Sequence, residues 1–212
     1  MRLRFLGHAA FDLQLAGMRL CLDPHKPGAL GGRFQLPAIQ GPFDALLRSH
    51  AHEDHAAWTP ALGTMRWLDA PLQLPGLIID ARAAFHDQRQ GLQQGLTRML
   101  SLRGEGLRLV HSGDLGAADD QDLQWLAGTD VLMIAAGGTW TLDGAAAAKL
   151  AWQSGAHAVV PVHCADPRVN LALLPVAEFL QAWPGQVVHA DQLDNALLAG
   201  LTGPTAVVLS AP

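Results

Sequence analysis

Three histidines and an aspartate lie within six consecutive positions of the segment SHAHEDHA: His50, His52, Asp54 and His55. Imidazole and carboxylate groups are the side chains with which proteins usually bind zinc and similar divalent ions. In extended chain, residues i and i+2 point the same way, so His50 and His52 can reach one ion together. Asp54 and His55 follow after the chain has turned and can face a second ion. The spacing therefore predicts two neighbouring metal positions.

Each predicted metal position needs further ligands from other parts of the chain. Three residues of suitable chemistry stand at the ends of predicted strands: His86 after LIIDARAAF, Asp114 in HSGD, and His163 in VPVH. We expect these three side chains to complete the two ligand sets.

The elements that must position these groups are mainly strands in the first half of the chain and alternate between strand and helix in the second half. Strands are predicted over 2–7, 11–17, 18–24, 44–49, 77–87, 96–102, 106–114, 130–136, 156–164, 185–190 and 205–210. Helices are predicted over 117–128, 141–155 and 174–183, and a Gly- and Pro-rich loop over 23–42. This order predicts two sheets packed face to face with helices outside, in one domain spanning 1–212.

Composition and charge limit the kinds of molecule that we expect this protein to bind. The formal charge is −5, and the 14 Lys and Arg residues form no basic run, which argues against nucleic acid. No apolar run is long enough to cross a bilayer, and the N-terminal apolar stretch is too short for a signal peptide. Two cysteines form no disulfide framework. We therefore expect a cytoplasmic protein with a small-molecule substrate and no membrane or nucleic-acid partner, and leave open whether it is a homo-oligomer.

SHAHEDH resembles the signature of the metallo-β-lactamase superfamily. The motifs FLGHAAF, LDP, FHD, HSGDLG, GGTWTL, VPVHC and NLALLPVAEFL resemble, in the same order, those of its small stand-alone zinc-dependent hydrolases, the group related to ascorbate-6-phosphate lactonase. The resemblance implies an α/β (α+β) fold, a four-layer αββα sandwich with the metal site at one edge of the two sheets. It also implies which residues are ligands: His50, His52 and His86 for the first metal, Asp54, His55 and His163 for the second, and Asp114 bridging both.

Two divalent ions close together lower the pKa of a shared water, so that hydroxide is available at neutral pH to attack a carbonyl or phosphoryl centre. The expected function is therefore a dinuclear metal-dependent hydrolase of a small ester, lactone or phosphodiester. Zinc is the expected metal, with manganese or iron as alternatives. Asp54 is the candidate for orienting the water and taking its proton. His111 and His8 are candidate proton donors, and the alternative for each is to support a neighbouring ligand or, for His8, to contact substrate.

Several assignments stay open at this level. A mononuclear iron redox enzyme of dioxygenase type on the same fold is the alternative function. Asp23 is predicted to support the histidine turn, whereas Asp87 has either a similar role or a solvated one. Trp58 and Trp140 are candidate pocket walls. The turn 137–141 is either an anion site at a helix N-terminus or, preferably, an ordinary threonine cap.

Overall fold

The chain forms thirteen strands and five α-helices in this computed structural model, which describes residues 1–212. The strands are β1 Arg2–Gly7, β2 Ala10–Leu15, β3 Met18–Leu22, β4 Ala45–Leu47, β5 Leu72–Leu74, β6 Leu77–Phe85, β7 Leu96–Gly104, β8 Leu107–His111, β9 Val131–Ala135, β10 Ala158–Val162, β11 Gln186–Ala190, β12 Leu193–Asp194 and β13 Thr205–Leu209. The helices are α1 Ala29–Gly32, α2 Asp120–Leu126, α3 Gly144–Ser154, α4 Val176–Ala182 and α5 Asn195–Gly200.

Two sheets contain all of these strands. The smaller sheet has the order β12-β1-β2-β3-β4, in which β1, β2 and β3 form an antiparallel meander. The larger sheet has the order β11-β13-β10-β9-β8-β7-β6-β5. Its strands β5 to β8 are antiparallel neighbours, whereas β8, β9, β10, β13 and β11 run parallel. The mixed α/β architecture with two sheets confirms the predicted fold class.

The main hydrophobic core lies between the two sheets. Apolar side chains that alternate along β2, such as Phe11 and Leu13, pack in the same cluster as Leu100 and Leu102 of β7 and Met133 of β9. These five side chains are almost fully buried. Successive side chains of a strand point to opposite faces of the sheet, so each of these strands places one face in the core.

Different layers cover the outer faces of the two sheets. Apolar residues of α2, α3 and α4, among them Leu126, Ala147 and Phe179, pack on Val110 and Leu132 of the larger sheet. The outer face of the smaller sheet is covered by loop residues instead. Ile39, Phe43 and Leu62 pack against Ala10, Cys21 and Leu46 there. The loop that contains Gly41 and Phe43 therefore serves as a structural layer.

One edge of the larger sheet gathers the carboxyl ends of several strands. Strands β8, β9 and β10 are parallel, and β6 runs in the same direction because two antiparallel pairings separate it from β8. The residues that follow β6, β8 and β10 therefore emerge at the same edge. These residues include His86, Asp114 and His163.

Every strand and helix predicted from the sequence is present, with ends that differ by a few residues. The short elements β5, β12, α1 and α5 were not predicted. β12 has two residues, and α1 is a four-residue turn in which Leu30 and Gly31 adopt left-handed conformations. Elements this short have too few residues to show a repeating pattern of apolar side chains, so the sequence does not predict them. No helix of the chain combines the length and apolarity needed to cross a bilayer.

Phe11 tests the contribution of the core between the sheets. Its side chain is 0% exposed, and we expect Phe11→Ala to lower the free energy of unfolding by about 3–5 kcal/mol because it leaves a cavity. The matched control is Phe85→Ala, since Phe85 is 38% exposed, and it should cost less than half as much. Denaturant unfolding followed by circular dichroism measures both values. Equal losses in the two variants would contradict this assignment of the core.

Candidate metal centre

Three imidazoles converge at the first predicted metal position. His50 Nε2 lies 3.0 Å from His52 Nδ1, and His86 Nε2 lies 3.1 Å from the same His52 atom. In a tetrahedral zinc site with bonds of about 2.0–2.1 Å, neighbouring ligand atoms are about 3.3 Å apart. These two separations are close to that value, and all three nitrogen atoms lie within 4.8 Å of one another, so they can share a small divalent cation.

A second group of coordinating side chains lies beside the first. It contains Asp54, His55, His163 and also His8, whose ligand atoms all lie within 4.8 Å of one another. Asp54 Oδ2 is 3.6 Å from His55 Nε2 and 3.1 Å from His8 Nε2. The structure thus brings the three residues predicted for the second metal into one cluster.

Asp114 lies between the two groups. Its Oδ2 atom is 3.3 Å from His86 Nε2 and 3.9 Å from His50 Nε2, on the side of the first group. The same oxygen is 3.2 Å from both His55 Nε2 and His163 Nε2, on the side of the second group. Asp114 is 2% exposed, and its Oδ1 atom is buried without a hydrogen-bond partner. A carboxylate in this position can contact two cations at once.

Burial and neighbouring charges shift the pKa values of several of these groups. Burial lowers the pKa of His50 to about 3, and it also lowers the pKa of His52. Burial alone would raise the pKa of Asp114, but the imidazoles of His163 and His55 hold it well below its usual value. Burial likewise opposes ionisation of Asp54, whereas the hydrogen bond with His8 lowers its pKa. Neutral imidazoles at His50 and His52 beside ionised carboxylates are the states that divalent cations bind, so these residues fit such ions. Burial alone would lower the pKa of His55, but Asp114 and Asp23 raise it well above its usual value, so a cation that binds there would displace a proton.

Asp23 holds the histidine turn in place through hydrogen bonds. Its Oδ1 accepts a hydrogen bond from Ser49 N at 2.6 Å, and its Oδ2 accepts from Ser49 Oγ at 2.6 Å and from His55 Nδ1 at 2.8 Å. Since Ser49 Oγ donates to Asp23, it accepts from His50 Nδ1 at 2.9 Å. Both histidines therefore present their Nε2 atoms to the site. This geometry corresponds to the supporting role predicted for Asp23.

Two of the histidines have a strained backbone conformation. His8 and His163 have φ values of 57° and 55°, in the left-handed region that residues other than glycine seldom adopt. His163 N donates to His8 O at 2.8 Å, which joins the two strained residues. A Cβ atom on Gly137 would lie 1.9 Å from His163 O, so only glycine fits beside this histidine.

Asp87 is buried and holds the loop that follows His86. Its two carboxylate oxygens accept hydrogen bonds from four backbone N–H groups, at distances of 2.8–3.2 Å. The donors belong to Arg89, Gly91, Gln93 and Gln94. Of the two roles left open for Asp87, the structural one is therefore observed. The loop in turn places Gln94 at the wall of the metal pocket.

The two candidate proton donors differ in their placement. His111 is fully buried, its Nε2 lies 2.9 Å from Ala9 O, and its Nδ1 accepts from Gly113 N. Both nitrogens are thus engaged by backbone groups away from the pocket, which favours the supporting role over proton donation. His8 is also buried, and burial lowers its pKa to about 3, so its neutral ring donates through Nε2 to Asp54 Oδ2. His8 therefore orients Asp54.

A cavity of about 280 Å³ opens above the clustered ligands. Besides His52, Asp54, His86, Asp114 and His163, it is lined by six residues, namely Leu30, Arg33, Glu53, Gln94, Trp140 and Leu171. Of the two tryptophans predicted as pocket walls, Trp140 lines this cavity. Trp58 does not line it, and its indole nitrogen donates a hydrogen bond to Thr64 O.

One further expectation about this region requires correction. The threonine cap expected in the turn 137–141 is wrong, because α3 begins later and its N-cap is Asp143, which accepts from Ala146 N at 2.8 Å. His25 is buried nearby, at 1% exposed, and its ring contacts Leu6 O. Arg33, Glu53 and Gln94 were missed because they lie in loops whose path no periodic pattern predicts.

Comparisons with known proteins show which family of sequences this chain resembles. A family model described as the β-lactamase superfamily domain matches residues 2–163. A UPF0173 metal-dependent hydrolase from Opitutus terrae is 26% identical over 202 residues, which cover 81% of this chain and 88% of that protein. Another from Methanoculleus marisnigri is 30% identical over 190 residues, covering 77% and 80% of the two chains.

Solved structures show the same fold. A candidate Zn-dependent hydrolase of the metallo-β-lactamase superfamily from Thermotoga maritima superposes with a TM-score of 0.75 at 23% identity, covering 99% of both chains. This likeness is evidence for the fold alone. The narrower relation to ascorbate-6-phosphate lactonase stays a prediction.

The substitution Asp23→Asn tests whether the hydrogen bonds of Asp23 hold the metal ligands in position. An amide keeps the shape of the side chain but loses one of the two acceptor oxygens, so His55 or Ser49 loses its partner. We expect divalent-metal affinity to fall by about 10–100-fold, measured by competition with a chelating dye. Asp69→Asn, at an exposed position, is the matched control and should bind metal as the parent does. Equal affinities in the two variants would rule out this role of Asp23.

Asp87→Ala tests how the loop 88–94 is held. Four amide groups lose their acceptor, so we expect their hydrogen exchange to accelerate by about tenfold or more, measured by mass spectrometry. Exchange in β6 should not change. Asp191→Ala, at an exposed position, provides the control. Unchanged exchange over 88–94 would show that other contacts hold the loop.

Proposed function

The chain belongs to the metallo-β-lactamase superfamily, and we propose that it is a dinuclear metal-dependent hydrolase of small ester, lactone or phosphodiester substrates. The observation that carries the two-metal part of the proposal is the position of Asp114. One oxygen of this carboxylate lies within 3.3 Å of imidazole nitrogens from both groups, His86 on one side and His55 and His163 on the other.

These distances support the ligand sets that the resemblance implies. His50, His52 and His86 would hold the first ion, Asp54, His55 and His163 the second, and Asp114 both. The donors are nitrogen and carboxylate oxygen atoms, which favours zinc, with manganese or iron as alternatives. When bound, the two ions supply Lewis acidity to a carbonyl or phosphoryl group and lower the pKa of water toward neutrality.

Asp54 and His8 have the proposed roles of positioning the attacking water and taking up its proton. Asp54 lines the cavity, and its Oδ2 is fixed by His8 Nε2 at 3.1 Å. In this position Asp54 orients the attacking water and accepts its proton. His8 stays neutral and keeps the carboxylate turned toward the cavity. His8 is thus a positioning residue rather than a proton donor.

The pocket supports a small substrate. Its volume of about 280 Å³ suits a small molecule, and Leu30, Trp140 and Leu171 exclude water from one side of it. The relatives from Opitutus terrae and Methanoculleus marisnigri are both named metal-dependent hydrolases. Their names favour hydrolysis over the alternative of mononuclear iron redox chemistry.

The double variant His50→Ala/His52→Ala tests this proposal. Purified protein supplied with zinc or manganese should bind about two ions per chain by elemental analysis and hydrolyse members of a panel of lactones and bis-aryl phosphodiesters. The double variant should lose the first ion and lower the rate by at least about a thousandfold, because Lewis-acid stabilisation is worth several kcal/mol.

The control for this experiment is His189→Ala, which removes an exposed imidazole far along the chain from the ligand motifs. It should keep both the metal content and the activity. Hydrolysis that survives the double substitution would overturn the proposal. One tightly held iron per chain in protein made without added metal would favour the redox alternative.

A further inference from the structure

Arg33 is the only arginine or lysine side chain at the wall of the metal pocket. Its guanidinium group is exposed and takes part in none of the ion pairs that the other arginines form with carboxylates. An unpaired guanidinium beside a binding cavity is suited to a carboxylate or phosphate, because its planar fork matches their oxygen atoms.

The other charges near Arg33 are already compensated. Glu53, which also lines the pocket, forms an ion pair with Lys26 at 2.8 Å and accepts a hydrogen bond from Leu30 N at 2.8 Å. Asp54 and Asp114 face the imidazoles of the proposed metal centre. None of these carboxylates is paired with Arg33, so its charge stays available to a ligand.

The backbone that carries Arg33 is held in place on both sides. Arg33 O accepts from Asn170 N at 2.9 Å, and Gln35 N donates to Arg168 O at 2.7 Å. Between them Phe34 is 1% exposed, forms an isolated β-bridge with Val169, and contacts the ring of His8 at 4.8 Å between centroids. Arg33 is thus anchored next to residues of the second ligand group, and its position does not depend on ligand binding.

The remainder of the wall is apolar or neutral. Leu30, Trp140 and Leu171 provide apolar surface, and the Gln94 amide provides a neutral hydrogen-bonding group. A substrate that fits this lining has a compact, mainly apolar body and one negatively charged substituent. The charged substituent would lie at Arg33 while the scissile group lies at the proposed metal centre.

We propose that Arg33 forms an anion-binding subsite, so that the preferred substrates are small lactones or esters with a carboxylate or phosphate substituent. This inference rests on the proposed hydrolase function and makes it more specific. The subsite discriminates through the ion pair, since a neutral substrate of the same shape gains nothing from the guanidinium.

The test compares charged substrates with neutral counterparts that have the same lactone ring. The first pair is γ-butyrolactone bearing a γ-carboxylate and the same lactone bearing a γ-carboxamide. The second pair is γ-(hydroxymethyl)-γ-butyrolactone with and without a phosphate ester on its hydroxyl group. For each pair, the measured quantity is the ratio of kcat/KM between the charged and the neutral lactone, in the metal-loaded protein.

Three variants complete the comparison. In Arg33→Gln the ratio should fall by about 10–100-fold for at least one pair, mainly through KM, because a charge-assisted hydrogen bond is lost. Arg33→Lys should restore part of the ratio, since the charge remains but the fork does not. Arg66→Gln, which removes an exposed arginine outside the pocket, should keep the parent ratio. The pair with the larger loss shows whether carboxylate or phosphate is the natural substituent.

Binding measured without turnover separates this inference from the proposed function. By calorimetry, the metal-loaded protein should bind 2-pyrrolidone-5-carboxylate more tightly than 2-pyrrolidone-5-carboxamide, and Arg33→Gln should remove the difference. If no lactone is hydrolysed but this difference is found, the hydrolase proposal fails on these substrates and the subsite stands. If both lactams bind equally, or if the ratios do not depend on Arg33, the subsite does not exist.

Discussion

A carboxylate buried among imidazoles is the constraint on which the site depends. Asp114 is 2% exposed, and one of its oxygens lies 3.2–3.3 Å from Nε2 atoms of His55, His86 and His163. Removing a charge from water is costly unless opposite charge or hydrogen bonds compensate it. Its other oxygen has no hydrogen-bond partner. Two cations beside Asp114 would balance its charge, and the surrounding imidazoles would bind them.

The fold meets this constraint by bringing distant parts of the chain to one edge. Parallel pairing of β8, β9 and β10 places Asp114 and His163 after the two strands that flank β9, and β6 brings His86 to the same edge. Asp23 and Ser49 then fix which imidazole nitrogens face inward. The left-handed backbone at His8 and His163 is a local strain that the surrounding packing must offset. Stability and the site are therefore coupled at this edge.

The sequence predicts the strands and the ligand cluster well, for a physical reason. Alternating apolar residues determine which face of a strand is buried, and the ligands stand directly after such strands, as His86 and His163 do. The pocket wall is different. Arg33 and Gln94 lie in loops whose course depends on tertiary hydrogen bonds, those of Asn170 to the Arg33 carbonyl and of Asp87 to the loop 88–94. The Asp143 cap was likewise missed, because α3 begins a few residues later than its Ala-rich pattern predicts.

Anomalous diffraction from crystals of the metal-loaded protein tests the central claim most directly. The account predicts two peaks in the anomalous difference map, one among His50, His52 and His86 and one among Asp54, His55 and His163. Asp114 should contact both. A map with no peak between these side chains, or with Asp114 turned away from both groups, would contradict it.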